Sequence, residues 1–377
     1  MKILHVTDCY LPRLGGIEMH VSDLARRQQD AGHEVTVLTR TSPGPAGEQG
    51  AVAVERHPGG PLRWGAGRHA RDVASTLAAD IVHAHLSVAS PFAVAALKAS
   101  TDLPTIATIH SVVPDSPLAL RSALALGGFP SRSIVFTAVS EAAAQPWRHA
   151  MGDRMPVRIL SNGIDPAAWQ VQHDPGTGRT FTVVTVGRLA RRKRQRAFVH
   201  MLSRLRDELP TGIDLRAVIV GDGDQYEAVT GDIARAGLAD QVEMPGALSR
   251  SEIRCVLARA DVYVAPAVLE SFGIAALEAR CAGVPVVGMS RSGVGEFVTD
   301  GVEGLLVEDD AQMLDAVRRL ALSPDLRMVM QHHNAMTEPP MAWPLVLAQH
   351  DQVYARARER VVGASPQRRL GSVLTTP

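Results

Sequence analysis

The chain predicts an α/β protein made of two doubly wound, Rossmann-like domains. Three observations carry this. Short apolar runs of strand length alternate with amphipathic helical stretches along the chain, the pattern of parallel sheets flanked by helices. Near the middle, Asn162-Gly-Ile-Asp-Pro166 and the turn-rich Gln172-His-Asp-Pro-Gly-Thr-Gly-Arg179 break that alternation as a linker does. A chain of 377 residues also exceeds what one core usually serves, which favours two domains of similar size.

Taken in order, the first half predicts strands over residues 3–7, 34–39, 81–85, 105–110, 134–139 and 158–160. Helices are expected over 17–31, closed by Gly32, and over 68–79. The second half predicts strands over 181–186, 215–220, 242–244, 262–265, 285–288 and 304–307, of which 242–244 is short and runs into Pro245. The division that follows is one Rossmann-like domain over 1–165 and a second over 166–342. A last helix within 343–362 crosses back to the first domain, and the tail over 363–377, rich in Ser, Pro, Gln, Arg and Thr, reads as disordered.

Bulk composition excludes several classes. Hydrophobic content of 46% supports packed cores, and 39 basic against 39 acidic residues leave no overall field that would attract nucleic acid. Three scattered cysteines, Cys9, Cys255 and Cys281, point to a reducing compartment rather than a disulfide framework. The apolar start, Met1 to Asp8, is too short for a signal core, and no stretch approaches the ~20 apolar residues of a membrane span. A cytoplasmic protein is expected, one that can still touch the inner face of a membrane.

The most informative stretch is Glu270-Ser-Phe-Gly-Ile-Ala-Ala-Leu-Glu278, followed by Gly283-Val-Pro-Val-Val287. A strand leads into a small turn and a helix begins there, so the first-turn amides of Ser271, Phe272 and Gly273 are expected to point outward and to favour an anion. Glu270 precedes the helix and Glu278 lies more than a turn inside it, so the two acids cannot share a proton. They suit a grip on two parts of one extended ligand. Acids near helix starts are common for the dipole alone, but a glutamate at the mouth of a loop leaving a strand end is where α/β folds hold ligands.

Other strand ends add candidates. Gly187-Arg188-Leu-Ala-Arg-Arg-Lys193-Arg follows a strand, and Arg188 with Lys193 would suit a diphosphate; Arg191, Arg192, Arg194 and Arg196 read as a solvated face. Gly15-Gly16-Ile-Glu18 opens a helix after the first strand without the spacing of a dinucleotide fingerprint. His110 ends another strand, where a capped core histidine is the competing reading. Asp222-Gly-Asp224 reads as a tight turn set by Gly221 and Gly223 rather than a metal motif. His83-Ala-His85 puts two imidazoles on one side of a strand with no third ligand evident, so a buried, hydrogen-bonded role is favoured over metal. His332-His333 reads as surface.

Together these segments resemble the retaining glycosyltransferases of family 4, and the likeness covers nearly the whole chain. It rests on Gly15-Gly16-Ile-Glu18, Gly32-His33-Glu34-Val35, Ala138-Val139-Ser140, Asn162-Gly163-Ile164-Asp165, Gly187-Arg188-Leu189 with Lys193, Val220-Gly221-Asp222-Gly223, Glu270 to Glu278, Gly293-Val-Gly-Glu296 and Asp300 to Val307. The resemblance implies the GT-B fold, two Rossmann-like domains facing across a cleft, with the acceptor bound by the first (1–165) and a UDP- or GDP-sugar donor held mainly by the second (166–342). By likeness, Arg188 and Lys193 neutralise the leaving diphosphate, Glu278 holds the ribose, Glu270 the sugar hydroxyls, and His110 the transferring sugar. Gly15, Gly16, Gly187, Gly221, Phe272, Gly273 and Ile274 line the donor. Members work without a bound metal or other cofactor, and retention is ascribed to front-face attack in which the donor phosphate takes the acceptor proton. The chain departs from the family pattern at Arg194, where a glycine is common, at Pro266-Ala267 and at Ser292-Gly293.

The expected activity is hexosyl transfer to an acceptor hydroxyl with an α-glycosidic bond. A sugar-nucleotide epimerase or hydrolase, or a non-catalytic sugar-nucleotide-binding partner, shares the architecture and stands as the alternative. The acceptor is not legible: sugars, cyclitols, lipids and polysaccharides all stay open. The loops over 41–67 and 111–131 are expected to choose it. Leu118-Ala-Leu-Arg-Ser-Ala-Leu-Ala-Leu126 is a candidate for peripheral contact with a lipid surface, against the plainer reading of a helix packed on its own domain.

Overall fold

The computed structural model describes residues 1–44, 52–57, 65–100, 102–113, 116–118, 120–122, 134–152, 156–173 and 179–364. Two compact units divide the chain, one of Met1–Ser161 with the chain from Pro344 on, the other of Asn162–Trp343.

In the first unit, strands β1 (Lys2–Thr7), β2 (Glu34–Thr39), β3 (Ala53–Arg56), β4 (Ile81–Leu86), β5 (Thr105–Ile109), β6 (Ile134–Ala138) and β7 (Val157–Ile159) form one parallel sheet in the order β3-β2-β1-β4-β5-β6-β7. The order reverses between β1 and β4, the switch point at which α/β sheets open a crevice. Helices α1 (Gly16–Asp30), α2 (Ala66–Thr76), α3 (Pro91–Ala99) and α4 (Glu141–Met151) connect the strands. One face of the sheet, carrying Ile3, Ile81 and Ile106, is covered by Val21 and Ala25 of α1. Val353, Tyr354 and Ala357 of the C-terminal helix, Trp343–Ala364, cover the same face. The opposite face, with Leu4, Val6 and Val82, packs on Ala66, Ala70 and Ala74 of α2 and on Phe92 and Ala96 of α3.

In the second unit, β8 (Thr180–Val186), β9 (Asp214–Val220), β10 (Val242–Gly246), β11 (Val262–Ala265), β12 (Val286–Met289) and β13 (Gly304–Val307) form a parallel sheet ordered β10-β9-β8-β11-β12-β13. Here the reversal falls between β8 and β11. A one-turn helix α5 (Pro166–Trp169) precedes β8. The remaining helices are α6 (Gln195–Glu208), α7 (Tyr226–Arg235), α8 (Arg250–Leu257), α9 (Ile274–Cys281), α10 (Asp310–Leu322) and α11 (Pro324–Met336). The main core joins Phe181 and Val183 of β8 to Phe198, Leu202 and Leu205 of α6 and to Leu314, Val317 and Leu320 of α10.

Several details differ from the sequence reading. Strand β3 is an addition: Ala-Val-Glu-Arg is short, only half buried and at the sheet edge, so it carries no apolar run to find. β10 continues through Pro245 because it is the edge strand, where a missing N–H costs no ladder bond. The expected linker is partly ordered, since Trp169 is buried and Ile164 bridges Ala342. The C-terminal helix runs to Ala364, past the expected start of the tail; the rest of that tail lies outside the described residues. So do most of the two acceptor-loop segments and Leu118–Leu126, of which Leu118 is described and exposed. No helix among the described residues is long and apolar enough to cross a membrane.

Candidate functional site

In the second unit, the two loops singled out by the sequence leave the ends of β8 and β11, the neighbouring strands at the order reversal. They meet: Lys193 Nζ donates to Glu270 Oε2, an ion pair with both side chains largely enclosed. Lys193 closes a 3-10 turn, Arg191–Lys193. Arg188 is exposed on the same loop, whose carbonyl at Arg188 is held by the buried Gln195 side chain (3.0 Å). The cationic and anionic halves of the candidate site are therefore one constellation.

Glycines bring this loop close to the next. Gly187 N–H donates to Val220 O (2.9 Å) and Leu189 N–H to Asp222 O (2.8 Å), so the turn after β9 lies flat against the loop after β8. A Cβ on Gly221 would stand 2.0 Å from Gly187 O, and its φ of 137° adds backbone strain for any other residue. Packing alone accounts for Gly221. A Cβ on Gly187 would meet nothing within 4 Å, which leaves that side of the loop open to a ligand. Asp222 caps Gly223 N–H (2.7 Å), the tight turn expected of Asp222-Gly-Asp224.

Beyond Glu270 the helix starts later than expected. α9 begins at Ile274 with Gly273 as its left-handed cap (φ 90°), so Ser271, Phe272 and Gly273 form the approach rather than the first turn. The reason is local: Ala276 and Leu277 both donate to Gly273 O (2.9 and 3.0 Å), leaving Ile274 and Ala275 at the head. The Phe272 ring is buried against Phe297, 5.6 Å between centroids, so only its backbone faces the site. Glu278 lies one turn into α9 and is nearly buried.

Two supports were not legible as such. Gly293 N–H donates to Glu270 O (2.8 Å), and a Cβ there would stand 2.3 Å from Ser271 O, so the Gly293–Glu296 turn backs the Glu270–Gly273 approach. Tyr263, buried on β11, donates its hydroxyl to Val186 O (3.1 Å) and so ties β11 to the end of β8. Burial pushes its phenol pKa up, and the carboxylates of Glu270 and Glu278 push it the same way. The sequence places Tyr263 in a strand, but nothing in a strand pattern separates a hydroxyl under two glutamates from core.

The neighbouring arginines carry structural ties. Arg194 donates to Asp310 through both terminal nitrogens (2.9 and 2.7 Å) and to Pro266 O (3.1 Å), and Arg196 grips Asp232 (2.6 Å). They are therefore not merely a solvated face, though Arg191 and Arg192 are exposed. His333, read as surface, is half-buried and bonded to Glu303 (3.3 Å), while His332 is exposed.

In the first unit, Gly15 caps α1 in an extended conformation and Gly16 opens it, with Gly15 O accepting from Met19 N–H (3.0 Å). Arg13 folds back onto the buried Glu18 (3.0 Å). His110 follows β5 and is buried, its N–H continuing the ladder to Leu86 O (2.8 Å). Its Nε2 bonds His85 Nδ1 (2.9 Å), and His85 Nε2 bonds His5 Nδ1 (2.9 Å). Thus a third imidazole does join His83 and His85, supplied by β1 through the register pairing His5 with His83. All six ring nitrogens of these three histidines are already hydrogen-bonded, to one another, Gln28, Tyr354, Thr108 and His110. That arrangement is the buried, hydrogen-bonded one. Burial holds all of them neutral, lowering His5 to about 4 and His110 to about 3 and His83 and His85 well below their usual 6.5.

Comparison with known proteins gives these features a frame. The model for glycosyltransferase family 4 matches residues 14–168, and that for glycosyl transferases group 1 matches residues 172–335. A phosphatidyl-myo-inositol mannosyltransferase of Mycolicibacterium smegmatis is 31% identical across 93% of this chain and 91% of its own length. The chain belongs to glycosyltransferase family 4. A D-inositol 3-phosphate glycosyltransferase of Pseudarthrobacter chlorophenolicus is similar to this glycosyltransferase at 27% identity, covering 93% of this chain and 92% of the relative. Among solved structures, Anabaena HepE in complex with UDP and glucose matches with a TM-score of 0.70 at 20% identity, over 96% of this chain and 98% of that one. A glycosyltransferase from Rickettsia africae matches at 0.72 and 16%, over 97% and 99%. These structural likenesses show that the fold of this glycosyltransferase is shared.

Proposed function

We propose that this glycosyltransferase moves a hexosyl group from a UDP- or GDP-sugar to an acceptor hydroxyl with retention, forming an α-glycosidic bond without a resident metal. The observation that carries the reading is the meeting of Lys193 and Glu270 at the reversal of the second sheet, with Glu278 one turn further on. Separate acid and base roles do not fit a glutamate already paired with a lysine. A donor that straddles the pair does: the diphosphate takes Lys193 and Arg188, the sugar hydroxyls take Glu270, the ribose takes Glu278, and His110 meets the transferring sugar. The Gly15-Gly16 turn and the amides of Gly273 and Ile274 would serve the diphosphate.

In the reaction, the acceptor oxygen approaches C1 from the face the diphosphate leaves. The C1–O bond to phosphate breaks, the C1–O bond to the acceptor forms, and the hydroxyl proton passes to the departing phosphate oxygen. The protein positions the partners and stabilises the charge growing on the diphosphate.

The names of the relatives put mannosyl donors and inositol phosphates first among candidates to try, and the Anabaena neighbour adds UDP-glucose. The test is a panel of UDP-, GDP- and ADP-sugars, scored for binding and slow hydrolysis, then for transfer to inositol phosphate, phosphatidylinositol and simple sugars. Anomeric configuration of the product is read by NMR. A β-linked product, or epimerisation of the donor with no acceptor present, would overturn the reading.

A further inference from the structure

Behind His110 runs a hydrogen-bonded chain, confined to the first unit, that the proposed chemistry leaves unused. It starts on the C-terminal helix. Gln28 of α1 donates from Nε2 to Tyr354 OH (2.8 Å), and its Oε1 bonds His5 Nε2 (2.7 Å). His5 Nδ1 bonds His85 Nε2 (2.9 Å), and His85 Nδ1 bonds His110 Nε2 (2.9 Å). A branch leaves Tyr354 for His83 Nδ1 (3.0 Å), then from His83 Nε2 to Thr108 (2.7 Å) and on to Thr137 (2.7 Å). Each side chain in both arms is at least nine-tenths buried.

Protons in such a chain cannot be placed independently. A neutral imidazole carries one N–H and one lone pair, so an acceptor at one nitrogen forces a donor at the other. Gln28 Oε1 can only accept, and therefore His5 carries its proton on Nε2 and accepts at Nδ1. His85 must then donate from Nε2 and accept at Nδ1. His110 must donate from Nε2, and its Nδ1 is left as a lone pair not committed to the chain. Turning the Gln28 carboxamide over would reverse every bond and place a proton on His110 Nδ1 instead. One carboxamide, bridging two helices, thus decides the chemistry of a ring three links away.

We propose that Gln28, His5 and His85, anchored by Tyr354 of the C-terminal helix, are positioning residues that hold His110 as the Nε2–H tautomer, so that Nδ1 accepts a hydrogen bond from a hydroxyl of the transferred sugar. The inference rests on the reading that His110 contacts that sugar. Burial supports it, because it holds His5 and His110 neutral and a charged ring would donate from both nitrogens. A sugar hydroxyl that donates to Nδ1 gains electron density at its oxygen, which suits a ring developing positive charge as the diphosphate leaves.

The experiment is long-range nitrogen–proton NMR on the full chain labelled with ¹⁵N-histidine, with His110 assigned by loss of its signals in His110→Gln. Wild type should show His110 protonated at Nε2 and bare at Nδ1; a proton on Nδ1 overturns the proposal without any variant. Gln28→Met should give mixed tautomers at His110 and lower kcat about tenfold, roughly one hydrogen bond, with donor KM unchanged. His85→Asn keeps an acceptor opposite His110 Nε2 and should retain more turnover than His85→Leu at equal thermal stability. A folded Gln28→Met protein with an unchanged His110 tautomer sinks the relay. If His110→Ala leaves turnover intact while the wild-type tautomer is as stated, the sugar contact is what fails.

Discussion

Arg194 is one of the positions at which this chain departs from the family pattern, and the structure shows what the departure costs. It sits in the left-handed region at φ 60°, where glycine is free and an arginine is disfavoured by about 1 kcal/mol. Its guanidinium offsets that by clamping Asp310 and Pro266 O, tying the phosphate-side loop to the loop that leads to Glu270. Arg194→Ala keeps the strain and loses the clamp, whereas Arg194→Gly loses the clamp and the strain together. Chemical denaturation should therefore find the alanine variant less stable than the glycine variant by about 1 kcal/mol; equal values would contradict the strain argument. Lys193 and Glu270 give a second contrast. On the proposed reading the diphosphate competes with Glu270 for Lys193, so Glu270→Gln frees the lysine while removing the group that holds the sugar. Calorimetry should show the nucleoside diphosphate binding about three- to tenfold more tightly to that variant, while turnover drops roughly a hundredfold. Lys193→Ala should weaken both, and a loss of diphosphate affinity in Glu270→Gln would show that the pair does not compete.

At the scale of elements, the approach Glu270–Gly273 is held in place by a turn from elsewhere in the sequence. Gly293 has no room for a side chain, with Ser271 O and Phe272 Cα at 2.3 and 2.6 Å from where a Cβ would stand. Gly293→Ala must push that approach away from its backing, at a cost of about 1–3 kcal/mol in stability by overpacking. Donor affinity should fall with it, although the residue touches no proposed ligand atom; a variant destabilised but with unchanged donor affinity would make the turn a packing feature alone. This coupling marks the limit of what the sequence shows. Alternation of apolar runs is a local signal, and it located β1, β2, β8 and β11 and the loops that leave them, hence Arg188, Lys193, Glu270 and Glu278. Contacts between distant segments have no local signal. Gly293 reads as the first glycine of a family motif, with nothing to say which distant segment it backs, Tyr263 as one more strand residue, and His5 as a polar interruption of an apolar run. The start of α9 falls later than the sequence predicts for a related reason: Gly273 caps the helix by its left-handed backbone, which leaves no Ser, Thr, Asp or Asn at the cap to mark the boundary. Edge strand β3 escaped because neither of its faces is buried enough to impose a pattern.

For the molecule as a whole, the buried histidines are distributed unevenly, and that sets how it should fail in acid. His5, His20, His83, His85, His110 and His350 are all buried, and all belong to the first unit. Burial is the largest cause lowering each of them, to about 4 for His5 and His350 and about 3 for His110; the less enclosed His33 and His57 move the same way. With folded pKa values below the unfolded 6.5, the unfolded chain takes up protons that the folded unit refuses. Stability is then fully present above about pH 6.5 and is lost as pH falls toward about 4. The second unit holds no buried histidine among its described residues. Its lowered acids, Asp232, Glu252 and Glu303, start from usual values of 3.8, 4.5 and 4.5 and so act only at lower pH. Between about pH 6.5 and 4.5 the loss should therefore fall on the first unit alone. Hydrogen exchange read peptide by peptide at pH 7 and pH 5, corrected for intrinsic rates, should show protection falling across β1, β4, β5 and the C-terminal helix while β8, β9 and β12 keep theirs. Equal losses in both units would mean that the histidine cluster is not what limits stability in acid. A first unit that keeps its protection at pH 5 would mean that the imidazoles titrate without opening the fold, and that the hydrogen-bonded chain behind His110 accepts a proton that its burial argues it should exclude.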